Sequence, residues 1–70
     1  MTQTEMIMAY MREFGSITQW EATKEIGCLR LGARIWDLKH AGVDIEKTMV
    51  ADRNRYGKPV RYARYSLPQA

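Results

Sequence analysis

The sequence has little of what cross-links, metal centres and membrane anchors require. Its single cysteine, Cys28, excludes an intramolecular disulfide and a cysteine metal cluster. No apolar run approaches the roughly 20 residues that span a bilayer, and the first residues lack the basic start and cleavage site of a signal peptide. We therefore expect a protein of the reducing cytoplasm that uses no metal or other cofactor.

The groups that commonly carry catalysis are also scarce. There is one histidine, the acidic residues are scattered, and no glycine-rich phosphate loop follows a strand. A chain of 70 residues buries only about 60% of its unfolded surface, which leaves little room for a pocket. We expect that the protein is not an enzyme.

Positive charge is concentrated near the end of the chain. Residues 1–51 carry six lysine and arginine residues against seven acidic ones, a net charge of −1. Residues 52–70 carry five against one, a net charge of +4. Such a cluster is typical of a surface that meets phosphate, and a solvated face is the alternative.

The first helix is predicted over residues 4–14. Thr2 and Glu5 have the spacing of a capping box, and Gly15 favours a left-handed end. The predicted buried face consists of Ile7, Tyr10, Met11 and Phe14.

Two further helices are predicted over residues 19–26 and 29–41. Thr18 and Glu21 form a second capping box, and Gly42 closes the third helix. The predicted inward stripes are Trp20, Thr23 and Ile26 in the second helix and Leu31, Ile35 and Leu38 in the third. A short helix, a turn that begins with glycine and a longer helix predict a helix-turn-helix.

The rest of the chain alternates with the period of a strand. Residues 43–51 and 60–67 predict a hairpin around a polar loop from Asp52 to Pro59, with Pro59 near the start of the second strand. Ser16 and Ile17 are predicted to add a minimal strand. The predicted fold is mainly α with a β-hairpin, a winged helix-turn-helix that forms a single domain over residues 1–70.

The third helix is predicted to contact bases. Gly32 and Ala33 keep its start thin, and Arg30 and Arg34 are forked donors in the first turns, where recognition helices reach base edges. The predicted site residues on this helix are Leu29, Arg30, Ala33, Arg34 and Asp37. An ion pair within the helix is the alternative for Arg34 and Asp37.

Three nearby residues have other interpretations. Trp36, on the outward side, is expected to pack against the wing or a second copy, or else to stack on sugar and phosphate. His40 is expected to be a solvated residue at the helix end. Cys28 is expected to fill the turn.

The hairpin loop is the second predicted contact with DNA. Its candidates are Arg53, Arg55, Tyr56, Lys58 and Arg61, which can meet phosphates or the minor groove, unless the tip is only solubilising. Weaker candidates for the DNA backbone lie at the start of the second helix, where free N–H groups favour phosphate: Thr18, Gln19 and Lys24.

The stretch GSITQWEATKEIGCLRLGARIWDLKHAGVDI resembles the small helix-turn-helix proteins that are common in bacteriophages and prophages, and the similarity continues through NRYGKPVRYARYSL. This resemblance covers nearly the whole chain. It implies a winged-helix DNA-binding domain, and it implies that Arg30, Arg34 and Asp37 belong to the recognition helix.

The predicted function is sequence-specific binding of double-stranded DNA, in transcriptional regulation or as an accessory to phage DNA transactions. A homodimer on a twofold operator is plausible for so small a module. The alternative is a winged-helix protein-interaction module without DNA binding, and Met6 and Met8, off the main apolar stripe, offer a contact for a partner. RNA binding is less favoured because Tyr62 and Tyr65 lie on opposite strand faces.

Overall fold

A computed structural model describes residues 1–68 of the chain. The elements are α1 (Gln3–Phe14), β1 (Ser16–Thr18), α2 (residues 19–26), α3 (Leu31–His40), β2 (Glu46–Arg53) and β3 (Pro59–Ser66). The strands form one antiparallel sheet in the order β1-β3-β2. Three helices with a hairpin and the small strand at Ser16–Thr18 confirm the predicted winged helix-turn-helix. No helix among the described residues is long and apolar enough to cross a membrane.

Both predicted capping boxes are present. At the start of α1 the Glu5 amide donates to Thr2 Oγ1 and the Thr2 amide donates to Glu5 Oε1, at 3.2 and 3.0 Å. Hydrogen bonds to the Glu5 carboxylate, first from the Thr2 backbone amide and then from the Thr2 side chain, hold the pKa of Glu5 below its ordinary value. Thr18 and Glu21 make the equivalent pair at the start of α2.

The predicted inward stripe of α2 is wrong at Trp20 and Thr23 and is confirmed only at Ile26, which packs against the core. Trp20 is 74% exposed and Thr23 is exposed, whereas Ala22 is fully buried and Ile26 half-buried. The Thr18 cap and the pairing of β1 set the rotation of this helix, and after Gln19–Glu21 it continues as a π-helix over Ala22–Ile26. A π-helix bonds i to i+5, so the spacing of an α-helix does not predict its faces.

One core joins the helices to the sheet. Its buried apolar members are Ile7, Met11, Ile17, Ala22, Cys28, Leu31, Ile35, Leu38 and Ile45. The inward face of α3 and the role of Cys28 as a buried turn residue are therefore confirmed. The predicted burial of Phe14 is wrong. Its side chain is exposed at the last turn of α1, and its ring lies against that of Tyr10 at a centroid distance of 4.6 Å.

The third helix and the hairpin differ from prediction at their ends. The helix begins at Leu31, so Leu29 and Arg30 belong to the turn rather than to the helix. The strands extend further toward the tip than expected, with Arg53 paired to Pro59, which leaves a loop of residues 54–58 only. Asn54 stabilises this short loop. Its side-chain oxygen accepts from the backbone amides of Tyr56 and Lys58, and its backbone amide donates to the Lys58 carbonyl. The predicted position of Pro59 at the start of its strand is confirmed.

Candidate nucleic-acid interface

The exposed side of α3 is opposite the buried stripe of Leu31, Ile35 and Leu38. At about 100° per residue, the side chains that point most directly outward are those of Ala33, Trp36 and His40. Trp36 is 60% exposed and His40 is exposed. The surface that α3 offers to a groove is therefore apolar and aromatic at its centre.

Trp36 and His40 form one unit on this surface. Their rings stack with centroids 3.6 Å apart and an interplanar angle of 26°. His40 Nδ1 lies 3.0 Å from the Trp36 carbonyl oxygen, within hydrogen-bond distance. The ring of Trp36 is therefore held by a residue of its own helix.

Arg34 and Asp37 form the ion pair that was the alternative prediction for them. Arg34 Nη2 lies 3.2 Å from Asp37 Oδ2, and both side chains are partly exposed. Arg34 Nε is buried and has no hydrogen-bond partner among residues 1–68. The neighbouring carboxylate therefore offsets much of the charge that Arg34 could offer to DNA.

Leu29 and Arg30 lie in the turn before α3 rather than on its outward face. With Arg34 they line a shallow groove beside the start of α1. Leu29 is 77% exposed, and Arg30 is the N-cap residue of α3 without a side-chain capping bond. The groove therefore places two arginines together at the N-terminal end of the candidate recognition helix.

One face of the hairpin carries only basic charged residues, whereas both acidic residues of the strands lie on the other face. Side chains alternate across a strand, and the pairing of Lys47 with Tyr65 and of Ala51 with Arg61 identifies the face that packs on the core, since Tyr65 contacts the core. The charged residues of β2 and β3 on this face are Lys47, Arg53 and Arg61. Those on the opposite face are Glu46, Asp52 and Arg64. We call the first the basic face of the wing.

The tip of the wing is ordered by its own hydrogen bonds. Arg53 Nη1 donates to the Gly57 carbonyl at 2.9 Å, so its guanidinium braces the loop. Arg55 and Lys58 make no side-chain hydrogen bond or ion pair within residues 1–68, and Tyr56 is exposed between them. Gly57 has a φ of 74°, a left-handed conformation that favours glycine. The predicted wing residues are thus brought together, with Arg53 in a partly structural role.

Two of the three weaker candidates use their side chains in hydrogen bonds within the protein. Thr18 is buried and its hydroxyl serves the α2 cap. The side-chain Nε2 of Gln19 donates to Thr23 Oγ1 and to the Cys28 carbonyl, and its Oε1 accepts from the backbone amide of Leu31, each at 2.8 Å. Gln19 therefore caps α3 from another helix, which uses its hydrogen-bonding groups within the protein. Lys24 is exposed and remains a candidate.

A second surface groove lies on the face of the sheet away from the core. Trp20, Tyr62 and Arg64 line it together with Thr18, Gln19 and Glu21. Arg64 donates to Ser16 Oγ at 2.9 Å and lies 3.8 Å from Glu21 Oε1. Tyr10 lies on the other side of Glu21. Its pKa is raised, first by partial desolvation and then by the negative charge of Glu21.

Two residues of this surface, His40 and Lys47, were not predicted as contacts with DNA. Trp36 had stacking on sugar and phosphate as one alternative, His40 was expected to be a solvated residue at the helix end, and Lys47 was treated only as part of an alternating strand. The available signal was their helical position and strand parity, whereas the register that puts Lys47 on the same face as Arg61 follows only from the strand pairing. Among the described residues no group of three or more histidine, cysteine or acidic side chains is arranged to hold a metal ion.

The helix-turn-helix, the outward side of α3 and the basic wing together define a winged helix-turn-helix module. A family model for the winged helix-turn-helix domain matches residues 2–70, so the chain belongs to that family. Membership indicates DNA binding in general, and domains of this kind are typically binding modules without enzymatic activity. Searches of curated proteins and of solved structures gave no match.

Proposed function

We propose that this protein binds double-stranded DNA sequence-specifically, with α3 in the major groove and the wing on adjacent phosphates. The observation that supports the proposal best is the charge segregation of the hairpin. Lys47, Arg53 and Arg61 share the face directed to the helices, whereas both strand acids lie on the other face. A wing that only improved solubility would not need to separate its charges in this way.

The turn before α3 supports the same orientation. Arg30 and Arg34 lie at the end of α3 whose residues contact base edges in helix-turn-helix proteins. The Arg30 side chain has no hydrogen-bond or ion-pair partner within residues 1–68, and an arginine in this place can donate two hydrogen bonds to guanine. We propose that Arg30 reads a base, while Arg34 exchanges its ion pair with Asp37 for a contact with DNA.

Fluorescence anisotropy with a labelled duplex of mixed sequence, measured over a series of salt concentrations, tests the wing. The variant combines Arg55→Ala with Lys58→Ala. Each lost phosphate contact should reduce the slope of log K against log salt by about 0.9, so the double variant should reduce it by roughly 1.8 and weaken every duplex similarly.

The matched control removes charge elsewhere. Arg12→Ala takes away an exposed cation outside the wing, on α1. Arg12→Ala should leave the slope unchanged. An unaltered slope in the wing variant would remove the wing from the interface, and absence of binding at low salt would refute the proposed function.

The biological role that we propose is transcriptional regulation, or assistance to DNA transactions, in a bacteriophage or prophage. Its support is the resemblance of residues 15–45 and 54–67 to small phage helix-turn-helix proteins. Enrichment of bound fragments from host and prophage DNA tests it: fragments concentrated at promoters support regulation, and fragments at replication or recombination sites support an accessory role.

We propose further that two copies bind one twofold-symmetric site, because a single small module provides limited affinity. The exposed edge of β2 is a poor contact for the two copies. When two β2 strands pair antiparallel about a twofold axis, the residues that meet lie on the same face of the strand. Glu46 and Asp52 would therefore meet acidic residues of the second copy, and Lys47 and Arg53 would meet basic ones. Sedimentation with duplexes that carry one or two half-sites measures the stoichiometry.

The alternative function is a protein-interaction module, and the groove of Trp20 and Tyr62 favours it. An indole that is 74% exposed lies there on the face that the DNA proposal leaves unused. Under this alternative Trp20→Ala abolishes capture of a protein partner, and no duplex binds at low salt.

A further inference from the structure

The centre of the outward surface of α3 offers few hydrogen-bonding groups. Gly32 has no side chain and Ala33 presents only a methyl group. Trp36 and His40 stack at 3.6 Å, and His40 Nδ1 is already within hydrogen-bond distance of a carbonyl of the same helix. What remains polar is the indole N–H and the second imidazole nitrogen.

Charged side chains of α3 lie to either side of this apolar surface. At about 100° per residue, Lys39 falls on one flank and Arg34 with Asp37 on the other. A helix with this pattern fits the major groove, whose walls are phosphate and whose floor is made of base edges. On that floor the apolar group that distinguishes one base pair is the thymine C5 methyl.

We propose that Trp36 is a specificity-determining residue that reads thymine methyl groups by apolar contact, with His40 as the positioning residue that holds the indole. This inference rests on the proposed function, since it requires α3 in the major groove. Stacking on His40 reduces the freedom of the indole before DNA arrives, so less conformational entropy is lost when it docks. Ala33, on the preceding turn, is the second apolar contact.

The test uses deoxyuridine, which pairs like thymidine but lacks the C5 methyl. Duplexes bound by the wild type are first enriched from a random 20-base-pair pool. In the best enriched duplex each thymidine is then replaced in turn by deoxyuridine, and the dissociation constant is measured by anisotropy. We expect one or two positions at which the replacement weakens binding by about fourfold, the factor for one buried methyl-sized group.

Variants of Trp36 show which residue makes the contact. Trp36→Ala should bind thymidine and deoxyuridine duplexes equally. Trp36→Phe keeps an apolar ring without the indole N–H and should retain the preference for thymidine. Because Trp36 is exposed and outside the core, the unfolding midpoints of both variants should stay close to that of the wild type.

Variants of His40 test the positioning role. His40→Ala should reduce the thymidine-to-deoxyuridine ratio, and His40→Phe, which keeps a ring to stack against, should restore it. A residue that only stabilised the helix would alter the unfolding midpoint and leave the ratio unchanged.

The inference is overturned if the wild type does not discriminate the two duplexes, or if Trp36→Ala retains the discrimination. In both cases the protein still binds DNA, so the proposed function survives. Failure of the wild type to bind or enrich any duplex at low salt overturns the proposed function together with this inference.

Discussion

Replacement of Gln19 separates a structural role from a DNA-binding one. Its side chain donates to the Cys28 carbonyl and accepts from the Leu31 amide, both at 2.8 Å, and so ties α2 to the start of α3. Arg30, the N-cap residue of α3, provides no side-chain capping bond. Gln19→Ala therefore removes the side-chain cap that the structure gives to α3.

The expected loss follows from these contacts. A net hydrogen bond contributes about 0.5–1.5 kcal/mol, and the loss of a helix cap costs about 0.5–2 kcal/mol. The Cys28 carbonyl keeps a second donor, Thr23 Oγ1 at 3.2 Å, whereas the Leu31 amide loses its side-chain partner. We expect a decrease in the free energy of unfolding of about 1–3 kcal/mol. For a domain of this size the midpoint falls by roughly 4–8 °C per kcal/mol.

Thermal and urea unfolding, followed by circular dichroism, measure the effect. Gln3→Ala is the matched control, because Gln3 is an exposed glutamine at the start of α1. Gln19→Glu keeps an acceptor for the Leu31 amide but loses both donors, so its loss of stability should be intermediate. A Gln19→Ala variant as stable as Gln3→Ala, with weaker binding to all duplexes, would refute the capping role and restore Gln19 as a contact with DNA backbone.

Three further changes test the core, the recognition helix and the first cap. Leu31→Ala should decrease the free energy of unfolding by about 2–5 kcal/mol, since Leu31 is fully buried; unfolding like the wild type would contradict the helix rotation. Asp37→Asn should tighten binding to every duplex, because it removes a carboxylate from the interface and releases Arg34. Weaker or unchanged binding in the anisotropy measurement would disprove this. The lowered pKa of Glu5 means that its stabilising contribution is present above the ordinary value of 4.5 and is lost as the pH falls through the folded-state pKa. Unfolding of Glu5→Gln in acid should therefore show a smaller loss of stability than the wild type, and an equal loss would refute the contribution.

Much of the candidate site followed from local patterns. The basic tip, from Arg55 to Lys58, was visible as a charge cluster, and the buried stripe of α3 followed from its spacing. Arg34 and Asp37 are three residues apart, so their ion pair was an expected alternative. Each of these features depends on residues that are close in the chain, where geometry is nearly independent of the rest of the fold.

The features that local patterns did not reveal depend on long-range contacts. The cap that Gln19 provides for α3 was not predicted, because the Leu31 amide that it accepts from is 12 residues away in the chain. Trp20 fits an inward spacing, but the cap at Thr18 and the π-helix after it turn the indole outward. The start of α3 was placed two residues early because neither Leu29 nor Arg30 carries a recognisable capping signal.

The sequence by itself determined the order of the elements, the two capping boxes, the core stripe of α3 and the basic composition of the wing. These depend on helical and strand periodicity and on hydrogen bonds between residues a few positions apart. Only the tertiary structure decided which face of the hairpin is basic and which residue caps α3. The strand register and the packing of α2 against the following turn bring together groups that no local pattern relates, and the orientation of a side chain follows from those contacts.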